Sequence, residues 1–358
     1  MLTSWKLAKL KNNLIFMFNS AGYNDNGFNS LPEKKVEIEG IIKPRPTVDL
    51  LSEYYKSLGD GSLEFIGIET GLTKLDRATL GLDGLIVLGG IAGKGKTSLA
   101  LQLAFDACEK GTPVLFYSLE MPRRAIYTKI LNRLAQVKFI DILLKGRPYL
   151  DGDQDKDLFG QDVDTFKHLK AEEIERLQKA KEMLASVGQR FYVFDRTDGE
   201  ATAETIEQDI NLIKAEHKTD KVFVIIDHLQ IANLTTYTDL KDKIDKLMSM
   251  FKGINERTNA TTLLISQKNR AGYYSKGLEA LMGSAGIEYT ADIVMFLDTQ
   301  KEKEAREESN KIVVEDINEF NQPIIEPIDL VIVKNRYNCP TKIELEFEGR
   351  YSQFKEKI

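Results

Sequence analysis

Short apolar runs alternate with longer amphipathic stretches along the chain from about residue 64 onward. The apolar runs are rich in β-branched residues, which is typical of strands covered on both faces of a sheet. They predict strands at Leu85–Gly89, Val114–Ser118, Phe191–Phe194, Val222–Ile226, Thr261–Ser266, Ile293–Leu297 and Leu330–Lys334. The amphipathic stretches predict helices at Thr97–Lys110, Arg123–Gln136, Ala171–Val187, Thr202–Glu216 and Leu240–Arg257. The alternation predicts an α/β fold with a mostly parallel, twisted sheet flanked by helices.

The beginning of the chain does not show this alternation. We therefore expect an N-terminal arm and linker helix over residues 1–63 and one large domain over residues 64–358. Residues 1–18 are basic and apolar, which predicts a short amphipathic helix, with a targeting peptide as the alternative. Residues 19–35 are rich in Asn, Gly and Ser, which is typical of a linker. A second short helix is predicted at Val48–Leu58.

Composition and charge narrow the possible classes of protein. The chain has 358 residues, of which 42% are hydrophobic and 29% charged, and this balance excludes a wholly disordered or low-complexity protein. Its apolar runs fall well short of the ~18 residues that cross a bilayer, so we expect no membrane contact and a cytoplasmic location. The net charge of −6 gives no sign of a basic face for duplex DNA, although an acidic ring can carry a basic channel. Cys108 and Cys339 form no disulfide framework, and neither has metal-ligand spacing.

The strongest chemical signal is a glycine-rich segment between the first predicted strand and the helix that follows it. Gly90-Ile91-Ala92-Gly93-Lys94-Gly95-Lys96-Thr97 fits the P-loop pattern G-x-x-x-x-G-K-[ST] at every fixed position. Its glycines let backbone N–H groups turn towards phosphate oxygens, and the helix adds the positive end of its dipole. We expect Lys96 to neutralise the β- and γ-phosphates of ATP and Thr97 to bind Mg²⁺. The predicted nucleotide-binding residues are Gly90, Ala92, Gly93, Lys94, Gly95, Lys96, Thr97 and Ser98.

Three polar residues follow the ends of predicted strands, where ligands bind in parallel sheets. Asp227 ends the apolar run Val222–Ile226 and is a candidate Mg²⁺ ligand together with Thr97. Glu120 follows the strand after the P-loop helix and is placed to polarise an attacking water, with a capping or surface glutamate as the alternative. Gln267 ends a later strand, where its amide is placed to sense the γ-phosphate.

A basic loop follows Gln267. Lys268, Arg270 and Lys276 are interleaved with Tyr273 and Tyr274. Cations that pair with phosphates and rings that stack on bases suit single-stranded nucleic acid. A solvated loop without a ligand is the alternative.

A second basic pair lies near the end of the last predicted strand. Lys334 and Arg336 point to the same side of an extended chain, far in sequence from the P-loop. Such a pair can serve as an arginine finger and its companion, which stabilise transition-state charge and can act on a neighbouring subunit. An ordinary surface pair is the alternative.

These elements, in this order, resemble the RecA-like ATPase domain of the DnaB-family replicative helicases. The resemblance covers roughly residues 64–354. The stretches that carry it are Thr70-Gly71-Leu72, the P-loop, Ser118-Leu119-Glu120-Met121, Ile226-Asp227-His228-Leu229-Gln230, Ser266-Gln267, Asn269-Arg270, Gly286-Ile287-Glu288-Tyr289-Thr290-Ala291-Asp292, Lys334-Asn335-Arg336 and Gly349-Arg350-Tyr351.

The resemblance implies a P-loop NTPase that forms a hexameric ring, with ATP at the subunit interfaces and single-stranded DNA as its track. Glu120 matches the family's catalytic glutamate, Asp227 its Walker B acid and Gln267 its γ-phosphate sensor. Lys334 and Arg336 match the pair that acts on the neighbouring subunit. Replication or loader proteins are possible partners of the N-terminal arm.

The sequence departs from the family in three places. About 60 residues precede the ATPase core, where the family has a helical domain that binds primase, so primase docking is in question. The stretch Met282-Gly283 stands where an Arg-Glu pair is usual in a DNA-contacting loop, which leaves the backbone of Gly283 as the expected phosphate contact. His228 stands where tyrosine is commoner, and we expect it to change packing only.

Two other functions stay open on the sequence alone. The first is a RecA- or KaiC-like regulatory or loader ATPase that acts on a protein partner, which the acidic balance and Met282-Gly283 favour. The second is a small-molecule P-loop kinase. The chain offers no arginine-rich lid for that reaction, and Glu120 with Gln267 suits attack by water better.

Overall fold

A computed structural model of the chain describes residues 65–143, 169–199, 201–229, 240–267, 284–299 and 325–357, together with Thr47, Val48 and Leu51. The chain divides into two units, Met1–Ser62 and Leu63–Ile358, and every element below belongs to the second. The predicted helix over residues 1–18 lies outside the described residues, and Val48–Leu58 is described only at Val48 and Leu51. The assignment of residues 1–63 as an arm and linker therefore stays a prediction.

The described part of the second unit is built on one nine-stranded sheet with the order β3-β2-β4-β5-β1-β6-β7-β8-β9. The strands are β1 Leu85–Gly90, β2 Val114–Ser118, β3 Phe191–Asp195, β4 Phe223–Asp227, β5 Thr261–Gln267, β6 Ile293–Thr299, β7 Ile325–Asn335, β8 Thr341–Glu348 and β9 Gln353–Glu356. Strands β1 to β6 pair in parallel, whereas β7, β8 and β9 add antiparallel pairs at one side. The predicted α/β fold with a mostly parallel sheet is confirmed.

Helices cover both faces of this sheet. They are α1 Thr73–Thr79, α2 Lys96–Glu109, α3 Arg123–Ala135, α4 Phe139–Leu143, α5 Ala171–Val187, α6 Ala203–His217, α7 Leu240–Thr258 and α8 Ser284–Thr290, with a 3-10 turn at Gly349–Tyr351. The seven predicted strands and five predicted helices are all present, whereas α1, α4, α8, β8 and β9 were not predicted. Among the described helices, none has the length and apolar character needed to cross a bilayer.

Alternation along the strands divides the core between the two faces. In β1, Ile86 and Leu88 join a cluster with α2, whereas Leu85 and Val87 join a cluster with α6 and α7. Because successive side chains of a strand point to opposite faces, a wholly apolar strand is buried on both sides. This double burial fixes the register of the central strands, and with it the position of each strand end.

Because the strands of the parallel part run in the same direction, they begin at one edge of the sheet and end at the opposite edge. We call the edge where the parallel strands end, at Gly90, Ser118, Asp227 and Gln267, the carboxyl edge. We call the edge where they begin, at Leu85 and Ile293, the amino edge. Because β7 runs antiparallel to β6, Asn335 at its end lies beside Ile293 at the amino edge.

Candidate nucleotide-binding site

The P-loop joins the end of β1 to the start of α2 at the carboxyl edge. Gly95, the residue before α2, has a φ of 82°, in the left-handed region that favours glycine. A β-carbon added at Gly95 would lie 2.8 Å from the ring of Phe347 and 2.9 Å from that of Phe354. These two rings stack with their centroids 4.4 Å apart. The C-terminal hairpin β8–β9 therefore packs directly against the loop and leaves no room for a side chain at Gly95.

The two lysines of the P-loop have different surroundings. The Nζ of Lys96 donates hydrogen bonds to the carbonyl oxygens of Gly90 at 2.9 Å and Ile91 at 2.7 Å, and the residue is only 7% exposed. The Nζ of Lys94 instead forms an ion pair with Glu326 of β7 at 2.9 Å. Lys96 is thus held inside the loop, as a phosphate-binding lysine requires, whereas the side chain of Lys94 is paired with a carboxylate of β7.

Thr97 and Asp227 meet at the centre of the carboxyl edge. The Thr97 hydroxyl donates a hydrogen bond to Oδ2 of Asp227 at 2.9 Å. Burial raises the pKa of Asp227 to about 6, and the nearby charge of Glu120 adds to this rise, although the Thr97 hydrogen bond opposes it. A buried carboxylate beside a hydroxyl supplies the hard oxygen ligands that Mg²⁺ prefers. These two residues therefore fit the metal that the P-loop pattern implies.

Glu120 contacts His228, the residue after Asp227. The Nδ1 of His228 lies 3.1 Å from Oε2 of Glu120, and the two side chains are 7% and 52% exposed. Since an ionised carboxylate can only accept, Nδ1 is the donor. Burial lowers the pKa of His228, so the ring is mainly neutral at pH 7. The expectation that His228 changes packing only is therefore corrected, because its ring also holds one oxygen of Glu120.

Most of the predicted carboxyl-edge residues line a common cleft of about 350 Å³, whereas Gly90 and Lys94 are not among its lining residues. Its lining includes Ala92, Gly93, Gly95, Lys96, Thr97, Ser98, Glu120, Asp227 and Gln267. Gln267 lies beside Gly90 in the pairing of β5 with β1. Among the described residues, ligand atoms of Glu120, Asp227 and His228 lie within 4.8 Å of one another, close enough to share a cation. The structure thus brings residues from four strand ends to one site.

Some lining residues were missed by the sequence analysis. Lys129 of α3 reaches the cleft, where its Nζ donates to the Ser98 hydroxyl at 3.3 Å, and burial lowers its pKa. Its place in an ordinary amphipathic helix gave no signal. Phe347 and Ser352 line the cleft from the C-terminal hairpin, together with Gly349, which the sequence analysis quoted only as part of a family stretch and gave no role. A signal existed for Phe347, because apolar residues alternate strictly with charged ones along β8, as in a half-buried strand.

Lys334 and Arg336 lie at the amino edge, away from this cleft. The Nζ of Lys334 donates to the carbonyl oxygen of Glu288 at 2.5 Å, near the end of α8. Arg336 donates through a terminal guanidinium nitrogen to Oδ1 of Asp292 at 2.6 Å. The six residues of β1 separate the two edges by about 20 Å, at ~3.3 Å per residue. No side chain spans that distance, so the structure does not bring these two residues to the nucleotide site of their own chain.

The predicted DNA-contacting residues are not described. Lys268, Arg270, Lys276 and Gly283 all lie in the segment 268–283, between Gln267 at the end of β5 and Ser284 at the start of α8. Their assignment as nucleic-acid contacts stays a prediction.

Comparison with known proteins identifies the family of this site. A family model described as the DnaB-like helicase C-terminal domain matches residues 67–356. The chain belongs to this family. The match includes the P-loop, the nine strands that the structure describes and the Lys334-Asn335-Arg336 stretch, and it confirms the resemblance inferred from the sequence.

Curated relatives in the family are full replicative helicases. The replicative DNA helicase DnaB of Helicobacter pylori (strain ATCC 700392 / 26695) is 24% identical over 335 residues, which cover 86% of this chain and 62% of the relative. That of Rickettsia bellii (strain RML369-C) is 26% identical over 313 residues, which cover 81% of this chain and 57% of the relative. The chain thus spans only about three fifths of the length of the relatives that it matches.

Two solved structures share the fold. The ATPase domain of G40P superposes with a TM-score of 0.69 at 18% identity, covering 88% of this chain and 100% of that domain. A DnaB-like replicative helicase, described with its interactions with primase, gives a TM-score of 0.67 at 18% identity, covering 88% of this chain and 68% of that one. These likenesses confirm the DnaB-like ATPase fold of the described domain.

Proposed function

We propose that this chain is an ATP-dependent DNA helicase or translocase that hydrolyses ATP at interfaces between copies of itself, in a ring of six, and moves along single-stranded DNA during replication. The observation that carries the proposal is the separation of the two candidate half-sites. The phosphate-binding residues lie at the carboxyl edge, and Lys334 and Arg336 lie about 20 Å away at the amino edge, at ~3.3 Å for each residue of β1. If Arg336 acts on a nucleotide, that nucleotide belongs to another copy.

The chemistry of the carboxyl edge suits hydrolysis by water. Glu120 is partly exposed and one of its oxygens is held by His228, so its other oxygen is available to accept a proton from an attacking water. Lys96 exchanges its loop carbonyl partners for phosphate oxygens. Gln267, at the end of β5, reports the presence of a γ-phosphate to the segment that follows it. Backbone N–H groups of the P-loop orient the phosphate chain.

Thr97 and Asp227 are the residues that would hold Mg²⁺. When bound, the ion would supply positive charge beside the phosphate oxygens and lower the barrier to transfer of the γ-phosphoryl group to water. The raised pKa of Asp227 supports this assignment, because burial disfavours its negative charge until a cation balances it.

The partners follow from the family and from the basic loop. We propose single-stranded DNA as the ligand of Lys268, Arg270, Lys276 and the backbone of Gly283. Replication or loader proteins are proposed as partners of residues 1–63. The interaction with primase belongs to the similar DnaB-like helicase and is not proposed for this chain.

The test is steady-state ATPase activity with and without a single-stranded oligothymidylate, at about 50 mM and about 200 mM salt, where phosphate contacts weaken steeply. Wild type is compared with Arg336→Ala and with Arg257→Ala as the matched control. Arg257 is also an exposed arginine paired with a carboxylate, that of Glu207. The side chain of Arg257 is 59% exposed and that of Arg336 is 63% exposed. We expect DNA to stimulate the wild type less at higher salt. We expect Arg336→Ala to lose about 10³-fold or more in kcat, the usual effect of an arginine finger.

Three outcomes would contradict parts of the proposal. ATPase activity that is indifferent to DNA at both salt concentrations would exclude a DNA-driven motor and favour the regulatory ATPase acting on a protein partner. An equal loss in Arg257→Ala would show that the effect is not specific to the proposed finger. A verified monomer that hydrolyses ATP at the rate of the oligomer would remove the need for a second copy.

A further inference from the structure

A buried carboxylate lies beneath Arg336 at the amino edge. Asp292 is 2% exposed and directly precedes β6. Its Oδ2 accepts a hydrogen bond from the backbone N–H of Leu85 at 2.8 Å. Both of its oxygens accept from Nζ of Lys252, at 2.8 and 2.9 Å, and its Oδ1 also accepts from Arg336. Although burial alone would raise the pKa of Asp292, these donors hold it below its usual value.

Arg336 is attached to Asp292 at two points. Its backbone N–H donates to the backbone carbonyl of Asp292 at 3.0 Å, and its guanidinium donates to the carboxylate at 2.6 Å. Despite these contacts, the side chain is mostly exposed. A guanidinium carries five N–H donors in a planar fork. A single anchored nitrogen therefore restricts the orientation of the fork, while most of the side chain stays exposed.

Other contacts hold the turn that carries Arg336 without touching its guanidinium. The side-chain amides of Asn335 and Asn338 donate to the carbonyl oxygen of Ala78 at 2.9 and 3.2 Å. The hydroxyl of Tyr337 donates to Asp83 at 2.6 Å. These bonds place the backbone of the turn. Asp292 differs from these groups because it contacts the guanidinium itself and so restricts its orientation.

We propose that Asp292 is a positioning residue for Arg336, whose guanidinium it aims at the γ-phosphate site of the neighbouring copy. This inference rests on the proposed function, in which Arg336 completes the site of another copy. An exposed arginine samples many rotamers, so an anchored one meets its phosphate more often in a productive orientation. The carboxylate of Asp292 is itself held by Leu85 of β1 and Lys252 of α7. The orientation of the Arg336 guanidinium therefore depends on the sheet and on α7.

The test compares Asp292→Asn with Asp83→Asn. Both variants change a carboxylate to an amide at a group that holds the same turn, but only Asp292 contacts the guanidinium. We expect Asp292→Asn to lower kcat for DNA-stimulated ATP hydrolysis by about 10- to 100-fold, the range that a small misplacement costs, with KM for ATP changed less than threefold. Asp83→Asn should remain within about twofold of wild type. An equal loss in both variants would overturn the proposal, because the whole turn would then be responsible.

Mixed assemblies separate this inference from the proposed function. Lys96→Ala copies lack a working P-loop but carry an intact Arg336, so they can complete the sites of Arg336→Ala copies. If that mixture regains no activity, Arg336 does not act on a neighbour and the proposed function fails at this point. If it regains activity, Asp292→Asn copies mixed with Lys96→Ala should regain activity as well. Recovery for Arg336→Ala but not for Asp292→Asn would overturn the positioning role and leave the finger in place.

A double variant checks that the effect passes through Arg336. In an Arg336→Ala background, Asp292→Asn should cause no further loss of kcat, because both changes remove one function. A further loss would mean that Asp292 supports its own subunit and would overturn the proposal. If Asp292→Asn does not assemble, Asp292→Glu takes its place. That variant keeps the charge and moves the carboxylate by one methylene, so the same loss and the same recovery by Lys96→Ala are expected.

Discussion

The carboxyl and amino edges of the sheet hold their functional cations in different ways. At the carboxyl edge, Lys96 is buried and bonded to carbonyls of its own loop, and Asp227 is buried against Thr97. At the amino edge, Arg336 is anchored through Asp292, but most of its side chain faces solvent. The first region gathers the candidate nucleotide-binding residues within one copy of the chain, and the second leaves most of its charged side chain exposed to solvent.

This difference suggests that residues that bind the phosphate chain and residues that act only in the transition state need different surroundings. A site that must orient a phosphate chain gains from donors that are fixed before the ligand arrives, and backbone groups in a P-loop supply that order. A cation that acts only in the transition state need not be part of that cradle. Variants in the phosphate cradle at the carboxyl edge should therefore affect binding and chemistry, whereas variants at the amino edge should affect chemistry alone.

The largest combined effect on ATP binding and catalysis is expected for Lys96→Ala. Removing a preorganised cation from the cradle should lower kcat/KM for ATP by about 10³-fold. It should also weaken binding of a fluorescent ATP analogue, measured by anisotropy. Lys94→Ala provides the comparison within the same loop. Its side chain is partly buried and paired with Glu326 instead of lying inside the loop, so we expect a loss below about fivefold. Similar losses in both variants would contradict the separate roles assigned to the two lysines.

Glu120→Gln should separate binding from chemistry at the carboxyl edge. The amide keeps the shape of the side chain but accepts a proton poorly, so kcat should fall about 10²- to 10⁴-fold, the contribution of a general base. Affinity for the ATP analogue should change less than about threefold, since the P-loop is intact. Glu204→Gln, at the exposed start of α6, is the control. A loss of affinity that matches the loss of kcat would place Glu120 in the binding cradle instead.

The smallest effect is expected for His228→Phe. The change removes the hydrogen bond that holds Glu120, and one such bond is worth about 1 kcal/mol, or roughly fivefold in kcat. His217→Phe is the control, because that histidine contacts Tyr192 on another part of the surface. The idea fails if kcat is the same in both variants, as measured at saturating ATP and DNA. An unfolding experiment in urea checks that neither change acts through stability.

Short segments that carry their own pattern of residues could be predicted from the sequence. The apolar runs predicted β1 and β2 to within one residue, and the P-loop pattern located Lys96 and Thr97 at the cleft. Both depend on neighbours in sequence, through strand burial and loop glycines. The family model matches residues 67–356, the range that holds these motifs.

The features that were missed depend on contacts between distant segments. His228 contacts Glu120, which lies 108 positions away in the sequence. Phe347 lies beside Gly95 because β8 pairs antiparallel with β7 and brings this ring to the P-loop. Asp292 was quoted as part of a motif, but its partners Leu85 and Lys252 come from two other elements. A pattern of residue types specifies no such pairs, since they are set by how strands and helices pack. The roles in DNA binding of Lys268, Arg270 and Lys276 stay predictions.

The separation of the two edges also has a consequence for assembly geometry. If the amino edge of one copy completes the carboxyl edge of the next, the contact is heterologous, with different surfaces meeting head to tail. An open row of such copies always has one terminal nucleotide site without a finger and one terminal finger without a nucleotide. Closing the row removes both defects at once. Ring closure would then be needed for every nucleotide site to have an arginine finger, as well as being a way to encircle a strand.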